Sequence, residues 1–147
     1  MLRLESVAPH LLGALINADA GRRRAAVFDV CSHAIAINSV IDPVVVRALD
    51  DYAQGMSMAD GVLGELKALQ EQADDQYFEH ADRDGGYQGR QTLAAFARAR
   101  ALSSVLFAVG ADSVAAACES IYEAISSVDD QAAAIAIAVR ELRSDQS

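Results

Sequence analysis

Apolar residues recur every three or four positions along most of the chain, which is the spacing of amphipathic α-helices. The segment from about Ser57 to Ala81 shows it most clearly, with aliphatic residues on one face and charged residues on the other. The segment from about Arg22 to Ser39 is apolar over most of its circumference. We therefore predict an all-α protein in which the second of these segments is the central buried helix.

Turn and capping residues divide this pattern into six or seven helices. The first is a short apolar helix that carries Pro9 in its first turn. Asp42-Pro43 predicts a new start, because Asp caps free N–H groups and Pro suits the first helical position. Gly55 predicts a helix end in the left-handed conformation. Asp129 or Asp130 is expected to cap the last helix.

The segment Ser57–Asp60 resembles a capping box and predicts that the next helix starts there. That helix ends before the glycine-rich turn 82–89. Two further helices follow, and then the last one. The whole pattern predicts a single domain, residues 1–147, built as a bundle of six or seven mostly antiparallel helices.

The composition supports a helical bundle. Alanine, the strongest helix former, supplies 30 of the 147 residues, and there are only two prolines. The hydrophobic fraction of 52% is enough for a core. Cys31 and Cys118 lie far apart within apolar helical patterns, so we expect buried free thiols rather than a disulfide.

The negative charge is concentrated in one segment. Residues 42–84 contain eleven carboxylates and three basic residues, which gives this segment a net charge of −8, whereas the whole chain has −9. Nucleic acids and anionic membranes attract Lys and Arg, so neither is an expected partner. The chain begins without a signal-peptide pattern and shows no uninterrupted apolar run of membrane-spanning length. We therefore expect a cytoplasmic protein.

No catalytic or metal motif is complete. The segment from His80 to Gly85 has a histidine where a calcium loop needs its first oxygen ligand. Asp29 and His33 share one face of a helix, but Cys31 points away from it. The sequence therefore predicts neither an enzyme nor a cofactor or metal site. A small-ligand pocket near His33 remains the least favoured alternative.

The acidic segment is the candidate site for a basic protein partner. Asp42 and Asp60 are assigned to helix caps, and Arg22–Arg24 are expected to neutralise part of the acidic surface. Tyr87 is added because exposed aromatic residues often anchor interfaces. The predicted partner-binding residues are Asp50, Asp51, Asp74, Asp75, Glu79, Asp82, Asp84 and Tyr87.

The order of these motifs resembles a known family. Phe28–Ala34, Asp42-Pro43, Arg47–Asp50 and the Gly55 stop look like bacterial immunity proteins of the Imm-5 type, over roughly residues 22–125. The resemblance implies an all-helical protein that binds and neutralises a toxin domain, and it implies no catalytic residue. An acidic surface suits a basic toxin cleft. The alternative is a self-associating structural or regulatory protein whose alanine-rich faces form a homodimer.

Overall fold

The computed structural model describes residues 3–83 and 89–143, which form eight α-helices and contain no β-strand. The helices are α1 Arg3–Val7, α2 Pro9–Asn17, α3 Ala20–Ile37, α4 Pro43–Ala53, α5 Val62–Arg83, α6 Arg90–Gly110, α7 Val114–Ser126 and α8 Gln131–Leu142. The predicted all-α class is confirmed. The predicted number, six or seven helices, is too low for the described residues.

The additional helix arises at the N-terminus, where one helix was predicted and two are present. Ala8 separates α1 from α2 with φ −148° and ψ 73°, which are not helical angles. A proline disfavours the helical conformation of the residue before it and has no N–H to donate. Pro9 therefore begins α2 instead of continuing α1.

The connection from α4 to α5 contains two glycines with positive φ. Gly55 has φ 70°, as predicted, and the N–H of Met56 donates to the carbonyl of Asp51 (2.9 Å), which closes the helix end. Gly61 has φ 86° and cannot belong to a right-handed helix. The predicted helix start at Ser57 is therefore wrong, because α5 can begin only after Gly61.

Two of the predicted aspartate caps, at the starts of α4 and α8, differ in outcome. Asp130 accepts a hydrogen bond from the N–H of Ala133 (3.0 Å) and caps α8, as predicted. Asp42 occupies the N-cap position of α4, but its carboxylate accepts from Arg98 Nη2 on α6 (3.2 Å) instead of a backbone N–H. Asp42 therefore joins two helices, an interaction that the local sequence does not reveal.

The core is one cluster of buried apolar side chains with members from all eight helices. As predicted, α3 is buried on several sides, and it packs against α4, α6, α7 and α8. The helix α6 has a similar position and contacts α3, α4, α5 and α7. Its buried residues include Ala95, Ala99 and Ala101, and such small side chains let neighbouring helices approach closely.

The helices α5 and α6 are antiparallel. Near one end of the pair, Leu63 and Gly110 line the same groove, and near the other end the rings of Tyr77 and Phe96 are 5.5 Å apart between centroids. This pairing brings the charged outer surface of α5 next to the partly exposed side of α6.

Within residues 3–83 and 89–143, one helix, α6, is long and apolar enough by length and composition to cross a membrane. Its most apolar 18-residue stretch is 39% buried inside the protein, and core helices of soluble proteins reach the same length and hydropathy. One such helix is weak evidence for a membrane span.

We expect Gly55→Ala and Gly13→Ala to change stability in opposite directions. At Gly55 a side chain would be held at positive φ, which costs about 1–2 kcal/mol. Gly13 is helical and has no atom within 4 Å of an added Cβ, so alanine there should stabilise by about 0.5–1 kcal/mol. Urea unfolding of both variants measures the difference. Equal effects would contradict the assigned backbone conformations.

Candidate protein-interaction surface

Four carboxylates form a continuous acidic face on α5. Glu71, Asp75, Glu79 and Asp82 are all exposed. At 100° per residue they lie within an arc of about 80° on the side of α5 opposite the buried residues Leu66 and Ala73. Glu79 also pairs with Arg83 (2.6 Å), but both side chains are mostly exposed, so this ion pair is weak. We call these four residues the α5 acidic face.

A large aromatic side chain borders this acidic face. Phe78 is 56% exposed and lies about 40° from Asp82 around the helix axis. Its ring contacts Tyr77 edge-on, with 5.1 Å between centroids, and Tyr77 in turn contacts Phe96 of α6. The structure places Phe78 on the surface, held by an aromatic neighbour.

The remaining predicted acidic residues of the described chain lie elsewhere. Asp74 is half-buried and accepts a hydrogen bond from Gln70 (2.7 Å). Asp50 is exposed and Asp51 half-buried near the C-terminal end of α4. The start of α4 lies beside residues 65–72 of α5, and α4 runs from there towards the start of α5. Asp50 and Asp75 are therefore about 20 Å apart along the α5 axis.

The predicted site is thus divided into two groups. Asp75, Glu79 and Asp82 share one face, and Asp50 and Asp51 lie at the other end of the hairpin formed by α4 and α5. Two predicted partner-binding residues, Asp84 and Tyr87, lie outside the described residues. Glu71 belongs to the α5 acidic face but was not included in the predicted site.

Contrary to the prediction, Arg23 and Arg24 do not neutralise the acidic segment. Arg23 donates to the carbonyls of Leu15 (3.3 Å) and Ala18 (2.9 Å) at the end of α2, where cations interact favourably with the helix dipole. Arg24 pairs with Asp112 (3.5 Å), and Arg22 pairs with Asp19 at the same distance. The α5 acidic face consequently keeps its negative charge.

A second charged cluster joins α1, α6 and α7. The side chain of Glu123 is 3% exposed, and its carboxylate accepts from Arg3 Nη2 (2.8 Å) and from Arg100 Nη1 (3.0 Å to each oxygen). Arg3 also bonds to Glu119, which raises the pKa of the guanidinium. This cluster was missed because its members are up to 120 positions apart in the sequence.

Both arginines of this cluster stack on aromatic rings. The Arg3 guanidinium carbon lies 4.3 Å from the centroid of the Tyr122 ring, and that of Arg100 lies 4.9 Å from the centroid of Phe96. Such cation–π contacts hold the guanidinium groups against the ring faces. Because Phe96 also contacts Tyr77, the aromatic contacts connect this cluster to Phe78.

Cys31 and Cys118 are buried free thiols, as predicted. Burial raises the pKa of both, so they remain protonated and poor nucleophiles near pH 7. Cys31 Sγ lies 3.1 Å from Ser120 Oγ, which donates to the carbonyl of Ser104 (2.7 Å). These polar atoms are part of the packing between α3, α6 and α7.

Within residues 3–83 and 89–143, no three or more His, Cys, Asp and Glu side chains are grouped so as to hold a metal ion. The pair Asp29 and His33 is half-buried on α3. The partner that the structure gives Asp29 is the carboxyl of Glu141 on α8. A hydrogen bond from one carboxyl to the other, with burial, raises the pKa of Glu141.

Comparisons with protein-family models, with curated proteins and with solved structures give no match. The resemblance to Imm-5-type immunity proteins therefore stays a prediction, and functional inference depends on the surface itself.

We expect Glu141→Gln to stabilise the protein at pH 7. A raised folded-state pKa means that the contribution of Glu141 to stability is present at low pH and is lost as pH rises through that pKa. Glutamine is uncharged at both pH values. The free energy of unfolding should therefore rise by less than about 1 kcal/mol at pH 7, and this difference should disappear towards pH 4. Urea unfolding at both pH values measures it.

Asp29→Asn is the matched control for this pair. It removes the same repulsion from the opposite side, so the double variant should gain no more than either single variant. Additive gains would show that the two carboxyl groups do not interact.

Proposed function

We propose that this chain is a non-enzymatic, cytoplasmic protein-binding module of the immunity type, which neutralises a basic toxin domain through the α5 acidic face and Phe78. The observation that carries the proposal is the exposed Phe78 ring beside four exposed carboxylates on one helix. Partly exposed aromatic residues supply binding energy at interfaces, whereas surrounding charges select the partner and accelerate encounter.

The charge of the face supports a basic partner. Glu71, Asp75 and Asp82 have no ion-pair partner among the described residues, and the pair of Glu79 is open to water. A nuclease-type toxin carries cationic groups in its cleft, and a carboxylate-rich helix can occupy that cleft in place of phosphates. The 22 residues of α5 provide a rigid surface about 33 Å long for this contact.

We expect capture of a basic protein by the wild-type chain to depend on this face. The purified protein should retain such a partner from a lysate of its native host at about 50 mM salt and lose most of it at about 500 mM. The triple variant Asp75→Asn, Glu79→Gln, Asp82→Asn should lose capture at both salt concentrations. Phe78→Ala should weaken affinity about tenfold or more, because an anchoring ring is removed.

The matched control is Asp50→Asn with Asp51→Asn. These residues belong to the same acidic segment but lie at the other end of the hairpin, so capture should be retained. The captured protein should be toxic when expressed alone, and coexpression with the wild type, but not with the triple variant, should restore growth. Unchanged capture by the triple variant, or capture of a protein that is not basic, would overturn the proposal.

A second candidate, self-association, is favoured by apolar residues at the junction of α3 and α4. Ile37 is 59% and Ile41 is 82% exposed, and Val46 nearby is 45% exposed. Such side chains would be covered in a homodimer. Light scattering at high concentration should then show a dimer that Ile37→Ser with Ile41→Ser returns to a monomer. A wild-type monomer at all concentrations would remove this candidate.

A further inference from the structure

We propose that the cavity between α1, α6 and α7 is a binding pocket for a carboxylate. The cavity is about 150 Å³ and is lined by Arg3, Phe96, Arg100, Tyr122 and Ser126. It lies outside the α5 acidic face, so this proposal does not depend on the proposed function.

The arrangement of Arg100 is the first observation. Only its Nη1 atom bonds to Glu123, and that atom contacts both carboxylate oxygens. The Nε and Nη2 atoms, which form the edge that binds carboxylates with two parallel hydrogen bonds, have no acceptor among the described residues. The cation–π contact with Phe96 limits the movement of this guanidinium group. A ligand therefore meets two oriented donors at little cost in side-chain entropy.

The other polar groups of the cavity are also donors. Arg3 bonds through Nε and Nη2, which leaves its Nη1 without an acceptor in the described chain. The hydroxyl groups of Tyr122 and Ser126 likewise have no hydrogen-bond partner there. Both oxygens of Glu123 are already bonded. The hydroxyl groups can donate or accept, whereas the guanidinium groups only donate, so donors are in excess and an oxygen-rich group satisfies the cavity best.

Charge and size define the class of ligand. The two guanidinium groups are balanced by Glu119 and Glu123, so the cluster is close to neutral and suits a singly charged carboxylate better than a phosphate dianion. A cavity of 150 Å³ is smaller than the usual range of about 300–1,000 Å³ for cofactor-sized ligands. It has room for one carboxylate with a small apolar or aromatic body against Phe96 and Tyr122.

The test uses nuclear magnetic resonance of the arginine Nε–H groups in the intact protein, with benzoate as the probe. We expect benzoate to shift the Arg100 Nε–H signal in a saturable manner, whereas uncharged benzamide should not. Arg100→Lys keeps a cation beside Glu123 but removes the two-donor edge, so benzoate affinity, followed in this variant by the Arg3 Nε–H signal, should fall about tenfold. Circular dichroism confirms that this variant is folded.

Arg98→Lys is the matched control, because Arg98 lies on the same helix and pairs with Asp42 outside the cavity. It should bind benzoate as the wild type does. A second probe, the peptide acetyl-Ala-Glu-Ala-amide compared with its glutamine counterpart, distinguishes a protein side chain from a free acid as the source of the carboxylate. Binding of either probe supports the pocket if Arg100→Lys weakens that binding.

Two results would overturn the proposal. The first is that neither benzoate nor the glutamate peptide shifts the signals of the cavity. The second is that binding persists unchanged in Arg100→Lys. Neither result bears on the capture experiment with the α5 triple variant. The pocket and the proposed function of the α5 acidic face can therefore fail independently.

Discussion

The buried carboxylate of Glu123 is the constraint on which much of the structure depends. An ionised group with 3% exposure must be paired, and the guanidinium groups of Arg3 and Arg100 pair it. Arg3 thereby fixes the N-terminal helix to α7, and Arg100 fixes α6 to the same point. Loss of Arg3 would leave the buried carboxylate with two of its three hydrogen bonds, and loss of Arg100 would leave it with one.

The same pairing organises the surface. With Arg100 held over Phe96, the aromatic contacts continue through Tyr77 to Phe78 at the border of the α5 acidic face. The outside of α5 and α6 thus presents carboxylates at one side and guanidinium donors at the other. Rigid groups at both sides allow a partner or ligand to bind with little ordering of side chains.

Local sequence signals located most of the helices but not their charged contacts. The starts of α2 and α4 follow from prolines, and the end of α4 follows from Gly55. The capping interpretation of Ser57 was wrong because a left-handed glycine follows it. Asp42 was placed correctly, but its side chain bonds to a helix that begins 48 residues later. Capping depends on neighbours in the chain, and ion pairing depends on neighbours in space.

The sequence by itself determined the helical class, the buried character of α3, the free thiols and the excess of acid in residues 42–84. Each of these depends on composition or on spacing within a few turns, which a linear pattern contains. Only the tertiary structure decided that four carboxylates share one face of α5, that Asp50 and Asp51 lie apart from it, and that Phe78 is exposed. It also brought Arg3, Arg100 and Glu123 together across more than 100 residues of chain, because long-range packing, not local propensity, sets which side chains meet.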